Sequence, residues 1–172
     1  MRRYEINSIL NYASSTTSSL LDIQRGGNGC RHVRCEQMIT READYAIRCI
    51  LYMSSMKEKL ANVKEIADPM QIPQSFLAKI LQKLLKAGIV ESIRGAGGGF
   101  RLKKKPSEIS LYDVVVAIDG TMSLNKCVDN PSTCELSDDC VVHPIWVDVS
   151  REMEGLIKTK DFQTLAAKYT GK

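Results

Sequence analysis

The stretch from Asn62 to Lys105, NVKEIADPMQIPQSFLAKILQKLLKAGIVESIRGAGGGFRLKKK, constrains the fold most, because its apolar period changes within one short span. NVKEIAD reads as a short helix that Pro69 should end, and MQIP reads as a turn. In QSFLAKILQKLLKAG, Phe76, Leu77, Ile80, Leu81, Leu84 and Leu85 recur at helical spacing and Gly88 supplies a stop. Gln74, Ser75, Ala78, Lys79, Lys83 and Lys86 are left for the outer side. Two β-prone runs follow, Ile89–Ile93 and Phe100–Leu102, joined by a turn with four glycines, which predicts a hairpin. Upstream, EADYAIRCILYMSSM puts Tyr45, Ile47, Ile50, Leu51 and Met53 mostly on one face of a first helix, with Thr40 as its cap.

A helix, a short helix, a tight turn and a third helix with a small, polar and basic outer face is the helix-turn-helix order, whose last helix enters the major groove of DNA. The hairpin behind it has Arg94 and Gly95 at the entrance to its tip, followed by Arg101, Lys103, Lys104 and Lys105. A basic hairpin in that position is a wing, suited to phosphates and a minor groove. GAGGG alone would also suit a nucleotide phosphate loop, but no Gly-Lys-Ser/Thr follows, and here it links two strands. The remaining alternative for the lysines is a merely solvated face.

The formal net charge of +4 is mild, so it points to an acidic partner only if focused on one face. The apolar runs fall far short of the roughly 20 residues that span a bilayer. MRRYEINSIL starts like a signal peptide, but polar NYASSTTSS follows without a sustained apolar core. These features predict a soluble, cytoplasmic protein with no membrane partner, whose six cysteines are thiols or metal ligands before they are structural disulfides. Residues 1–37, rich in Ser, Thr, Asn and Gly, read as a disordered extension. Cys30, His32 and Cys35 within them are too short a cluster to define a site.

SLYDVVVAIDG predicts a fourth helix opening at Ser110, and NKCVDNPSTCELSDDCVVHPIW follows with the spacing C-x6-C-x5-C-x2-H at Cys127, Cys134, Cys140 and His143. That is not the paired C-x2-C spacing of most zinc modules. Three thiolates and an imidazole suit an iron–sulfur centre, with a zinc knuckle, a metal-free thiol–disulfide switch and inert cysteines as the alternatives. Pro144 suits the first turn of a last, long helix. Val142, Trp146, Val149, Met153 and Leu156 recur along it at spacings of four and three, a seam for pairing with a second copy or for packing within the chain. No nucleophile–base pair is present, which argues against an enzyme.

In MITREADYA at residues 38–46, IPQSFLAKILQKLLKAGIVESIRGAGGGF, SLYDVVVAID and the cysteine loop ending in HPIW, the chain from Met38 to about Tyr169 resembles the Rrf-two family of winged-helix transcription regulators, especially its IscR- and NsrR-like iron–sulfur members. The resemblance implies a mainly α (α+β) winged helix-turn-helix with a β-hairpin wing, a cysteine-containing loop and a long dimerisation helix. It divides the chain into an extension (1–37), a DNA-binding domain (38–119), a cluster-binding loop (120–143), and a dimerisation helix with a C-terminal segment (144–172). It implies a homodimeric regulator, a repressor, that binds a palindromic duplex and senses iron–sulfur, redox or nitric oxide status. Recognition contacts would fall on Pro73, Gln74, Ser75, Phe76 and Lys79, with Lys83 on the same helix, and wing contacts on Arg94, Gly95, Arg101 and Lys103. Ala78 stands where IscR-like proteins carry a discriminating carboxylate. The loop resembles a [2Fe–2S] site whose first spacer is one residue longer than usual, with His143 or Asp44 as fourth ligand. A cluster-free regulator responding through thiols or a small molecule is the alternative.

Overall fold

The computed structural model describes residues 39–56, 59–95, 97–136 and 138–169. The extension, and the Cys30, His32 and Cys35 cluster within it, lie outside them.

The first helix, α1 (Arg41–Ser55), begins where Thr40 caps it by accepting from the Ala43 N–H. Its fully buried face runs through Ala43, Ala46, Cys49, Ile50 and Met53, while Tyr45, Ile47 and Leu51 flank it half-buried. Small residues form this face because α1 is the hub of the fold, packed by α2 (Val63–Met70), α3 (Gln74–Lys86), α4 (Leu111–Asp119) and α7 (Phe162–Lys168). Helix α2 opens on a reciprocal cap between Asn62 and Glu65. Pro69 does not end it but sits inside its last turn. The stop is Gln71, in the left-handed region at φ 54, with the Ile72 N–H donating to Ala67 O at 3.0 Å and the Gln71 N–H to Asp68 O at 3.3 Å.

Helix α3 buries Leu77, Ile80, Leu81 and Leu84, with Leu85 half-buried at one edge. Phe76, counted in the apolar stripe by its spacing, is 53% exposed. It lies about a quarter-turn from the centre of that stripe, at roughly 100° per residue, and so falls on the outer face.

The hairpin pairs β1 (Val90–Ile93) with β2 (Gly99–Leu102), Val90 facing Leu102 and Ile93 facing Gly99. The chain just before α2 adds a bridge, Ala61 to Phe100, with N–H···O distances of 3.0 and 2.8 Å. At Gly99 a Cβ would stand 2.7 Å from the Ala61 carbonyl oxygen, so only glycine permits this approach.

Ser110 and Asp113 cap α4 reciprocally. The cysteine loop follows, containing the single-turn helix α5 (Lys126–Asp129), and leads into α6 (His143–Lys158). The chain then returns to the core in a way its local pattern did not announce. Leu111 N–H donates to Lys160 O at 2.8 Å and Phe162 N–H to Ile109 O at 3.0 Å, which seats Phe162 at 0% exposure in the core. Asp161 caps α7, and the Thr164 N–H and hydroxyl it accepts hold its carboxyl below the ordinary carboxylate range.

Since Phe162 is the fully buried side chain of α7, Phe162→Ala is expected to destabilise the fold by about 3–5 kcal/mol, the range for deleting a buried phenyl group. Urea unfolding checks it. A change under about 1 kcal/mol would show α7 to be a dispensable appendage.

Candidate nucleic-acid interface and cysteine loop

One face of α3 is committed to the core, and the residues on the other are Pro73, Gln74, Ser75, Phe76, Ala78 and Lys79, all exposed. Pro73 precedes the first turn with φ −58 and accepts from the N–H groups of Phe76 and Leu77, each at 3.0 Å. No carboxylate pairs with Lys79 among the described residues, so its ammonium is free for an external anion. Lys83 differs from the expectation for it. It pairs with Glu42 at 2.9 Å and donates to Ile118 O at 3.3 Å, which turns it toward α1 and α4.

At the wing, Arg94 and Gly95 are exposed at the start of the turn, and Gly95 has φ 117, open to glycine but strained for other residues. Arg101 is engaged across the hairpin by Glu91 at 2.6 Å. Lys103, Lys104 and Lys105 are exposed at the root of the wing. With Lys59, Arg101, Glu91, Met53 and Leu102 they border a cavity of about 400 Å³. Thus, among the described residues, Lys79, Arg94 and Lys103 have no carboxylate partner, whereas Lys83 and Arg101 are held by Glu42 and Glu91.

In the loop, local polar contacts set the course of the backbone. Thr121 donates to Asp129 at 2.5 Å, and the Asn130 side chain accepts from the Ser132 N–H and hydroxyl at 3.2 and 2.7 Å. Cys127, Cys134 and Cys140 are free thiols, each half-buried. Among the described residues no three His, Cys, Asp or Glu side chains converge closely enough to hold a metal ion. His143 opens α6, where its N–H donates to Cys140 O at 3.3 Å, and its ring Nδ1 is buried without a hydrogen-bond partner among the described residues. An orphaned buried nitrogen is costly unless something else fills its lone pair. Three thiols and such an imidazole are a donor set that fits an iron–sulfur group in chemistry. Asp44, the other candidate ligand, lies on α1 and pairs with Arg48 at 2.8 Å.

Residues 39–168 match the family model Rrf2, described as an iron-dependent transcriptional regulator. The chain belongs to the Rrf2 family. Among relatives of this Rrf2 protein, a regulator named NsrR from Shouchella clausii is 36% identical over 59% of this chain and 70% of its own length. One named IscR from Aliivibrio salmonicida is 32% identical over 69% of this chain and 71% of its own. Among solved structures, CymR, the global cysteine regulator of B. subtilis, superposes with a TM-score of 0.62 at 21% identity, covering 76% of this chain and 97% of CymR. The mainly helical fold with a two-stranded hairpin is that of winged-helix Rrf2 regulators. Among the described residues no helix is long and apolar enough to cross a membrane.

Sequence spacing does not distinguish the remaining described thiol, Cys49, from the loop cysteines. It is fully buried on α1 with its Sγ 3.8 Å from the Met53 sulfur, and burial pushes its pKa up from 9.0 to about 12. A raised thiol pKa keeps the unreactive protonated form dominant at every pH below that value. Native alkylation at pH 8 should therefore label Cys127, Cys134 and Cys140 and leave Cys49 unlabelled until denaturant is added, as read by peptide mass mapping. Native labelling of Cys49 would contradict this packing.

Proposed function

We propose that this Rrf2 protein is a sequence-specific DNA-binding regulator, a cytoplasmic homodimer acting as a repressor. We further propose that its cysteine loop holds a [2Fe–2S] cluster that reports iron–sulfur, redox or nitric oxide status. The observation that carries the DNA-reading half is the exposed outer face of α3, on which Phe76 stays in water and Lys79 is exposed with no carboxylate partner among the described residues. Gln74 and Ser75 supply hydrogen-bonding groups for base edges there, and Lys79 supplies a cation for base or phosphate. Arg94 at the wing tip suits a minor groove, Gly95 permits close approach, and Lys103 suits a phosphate.

The dimer is supported by α6, where Val142, Ile145, Trp146, Val149 and Leu156 are exposed at helical spacing in the single chain. An apolar stripe of this kind is expected to be covered by a second copy. Two reading heads would meet half-sites about 34 Å apart, one helical turn of DNA, which calls for a palindromic operator.

For the loop, the reading takes Cys127, Cys134 and Cys140 as thiolate ligands and His143 as the fourth, with Asp44 as the alternative. Bound there, a [2Fe–2S] cluster supplies one-electron redox chemistry and a reactive target for small oxidants. Pro144 in the first turn of α6 fixes the backbone beside His143, and burial of Nδ1 keeps water from satisfying it. A second reading, a cluster-free regulator responding through thiols or a small molecule, is supported by the three free, half-buried loop thiols.

Two measurements test these claims. In anisotropy titrations at moderate salt, Lys79→Ala and Arg94→Ala are each expected to cost about 1–3 kcal/mol of operator affinity. Lys103→Ala should weaken operator and scrambled duplex alike and lower the salt slope by about 1. Unchanged affinity in both of the first two variants defeats the docking. Separately, anaerobic reconstitution with iron and sulfide should give the wild type a visible chromophore whose lifetime and pH dependence change in His143→Ala. If His143→Ala keeps the wild-type behaviour while Asp44→Ala loses it, the carboxylate is the ligand. If neither the wild type nor any variant gains a chromophore, the cluster-free reading stands.

A further inference from the structure

Lys83 lies on the helix whose outer face is read above as the DNA contact, yet its ammonium leaves that face. It meets Glu42 of α1 at 2.9 Å and the Ile118 carbonyl of α4 at 3.3 Å. One residue beyond, Asp119 accepts from the Thr40 N–H at 3.0 Å and from the Thr40 hydroxyl at 2.6 Å. Thr40 and Glu42 begin α1, and Ile118 and Asp119 end α4, so three helices share one polar junction. Ile118 O is among the last carbonyls of α4, which have no partner inside the helix, and α4 has no basic residue in its last turn. A cation lent by α3 satisfies that carbonyl and the negative helix end together. Gly120 follows at once, with φ 85, and opens the cysteine loop, whose Thr121 is tied to Asp129, two residues past Cys127. No other α3 side chain hydrogen-bonds another element among the described residues.

We infer that Lys83 is a positioning residue that couples the start of the cysteine loop to the reading face of α3, and not a contact to DNA. The inference rests on the regulator reading above. Because Ile118 and Asp119 are the last helical residues before the loop, a displacement of the loop's first turn shifts the acceptor that Lys83 holds. The tether then draws on α3 at its C-terminal half, while the buried leucines act as the pivot. A half-exposed ion pair contributes little to stability, so its removal spares the fold.

The test uses the full chain without cluster, its loop thiols either free or alkylated with N-ethylmaleimide under native conditions. Operator affinity is then measured across a salt series. In the wild type, alkylation is expected to change affinity by about tenfold, within the roughly 5–150-fold span of allosteric couplings. Lys83→Met should reduce that ratio to near unity without altering the salt slope, and Lys83→Arg should restore it. A Lys83→Met protein that keeps the ratio but loses about 1 from the salt slope makes Lys83 a phosphate contact and overturns the inference alone. Indifference of the wild type to alkylation overturns both the inference and the sensing role of the loop. Should Lys83→Met melt early, Glu42→Gln cuts the same junction from α1, and a ratio retained there also overturns the inference.

Discussion

The packing of α3 on α1 is the constraint from which the rest follows. Leu77, Ile80, Leu81 and Leu84 lie at 0% exposure against a hub whose own buried face begins with Ala43 and Ala46. Each such leucine or isoleucine contributes about 1.5–3 kcal/mol on burial, so rotating α3 about its axis would forfeit several of these at once. The helix is therefore fixed in azimuth. Fixing one face inward fixes Gln74, Ser75, Phe76 and Lys79 outward, and the surface proposed to read DNA results from core packing without a device of its own. The wing is placed by the same logic, since Gly99 lets β2 approach Ala61 just ahead of α2.

Polar contacts define where these apolar units begin and how they are joined. Thr40, Asn62, Ser110 and Asp161 each satisfy the free N–H groups at a helix start. Thr40 does so while also donating to Asp119, so the cap of α1 is a clamp on the end of α4. The cysteine loop leaves from that clamp and returns through α6. At the far end of α6, Lys158 lies 4.1 Å from the centre of the Tyr112 ring at the start of α4, and its bond to Glu154 raises its pKa. The loop is thus bracketed by contacts to both ends of one helix of the reading head.

Much of the reading head was legible in the sequence because its signals are local. The Thr40 and Ser110 caps, the period of Leu77 to Leu84, the Gly88 stop and the glycine-rich hairpin each declare themselves within a few residues. Features that depend on distant partners were not legible. Ala43, Ala46 and Cys49 carry little hydrophobic signal, yet they line the buried face of α1 because small side chains admit close approach. Phe76 matched the apolar spacing but lies at the edge of the stripe, and Pro69 is accommodated in a last turn that Gln71 closes. Phe162 is seated in the core by backbone pairing to Ile109, and the partners of Lys83 stand 41 and 35 positions away in the sequence. For the loop, spacing supplied the ligand types and the buried Nδ1 of His143 adds to them.

The central proposal is that the outer face of α3 and the wing meet DNA. Lysine acetylation footprinting by mass spectrometry, with and without operator duplex, tests it residue by residue. The account predicts protection of Lys79 and Lys103 and unchanged reactivity at Lys160 and Lys168. Unchanged reactivity at Lys79 beside protection of Lys160 or Lys168 would contradict it.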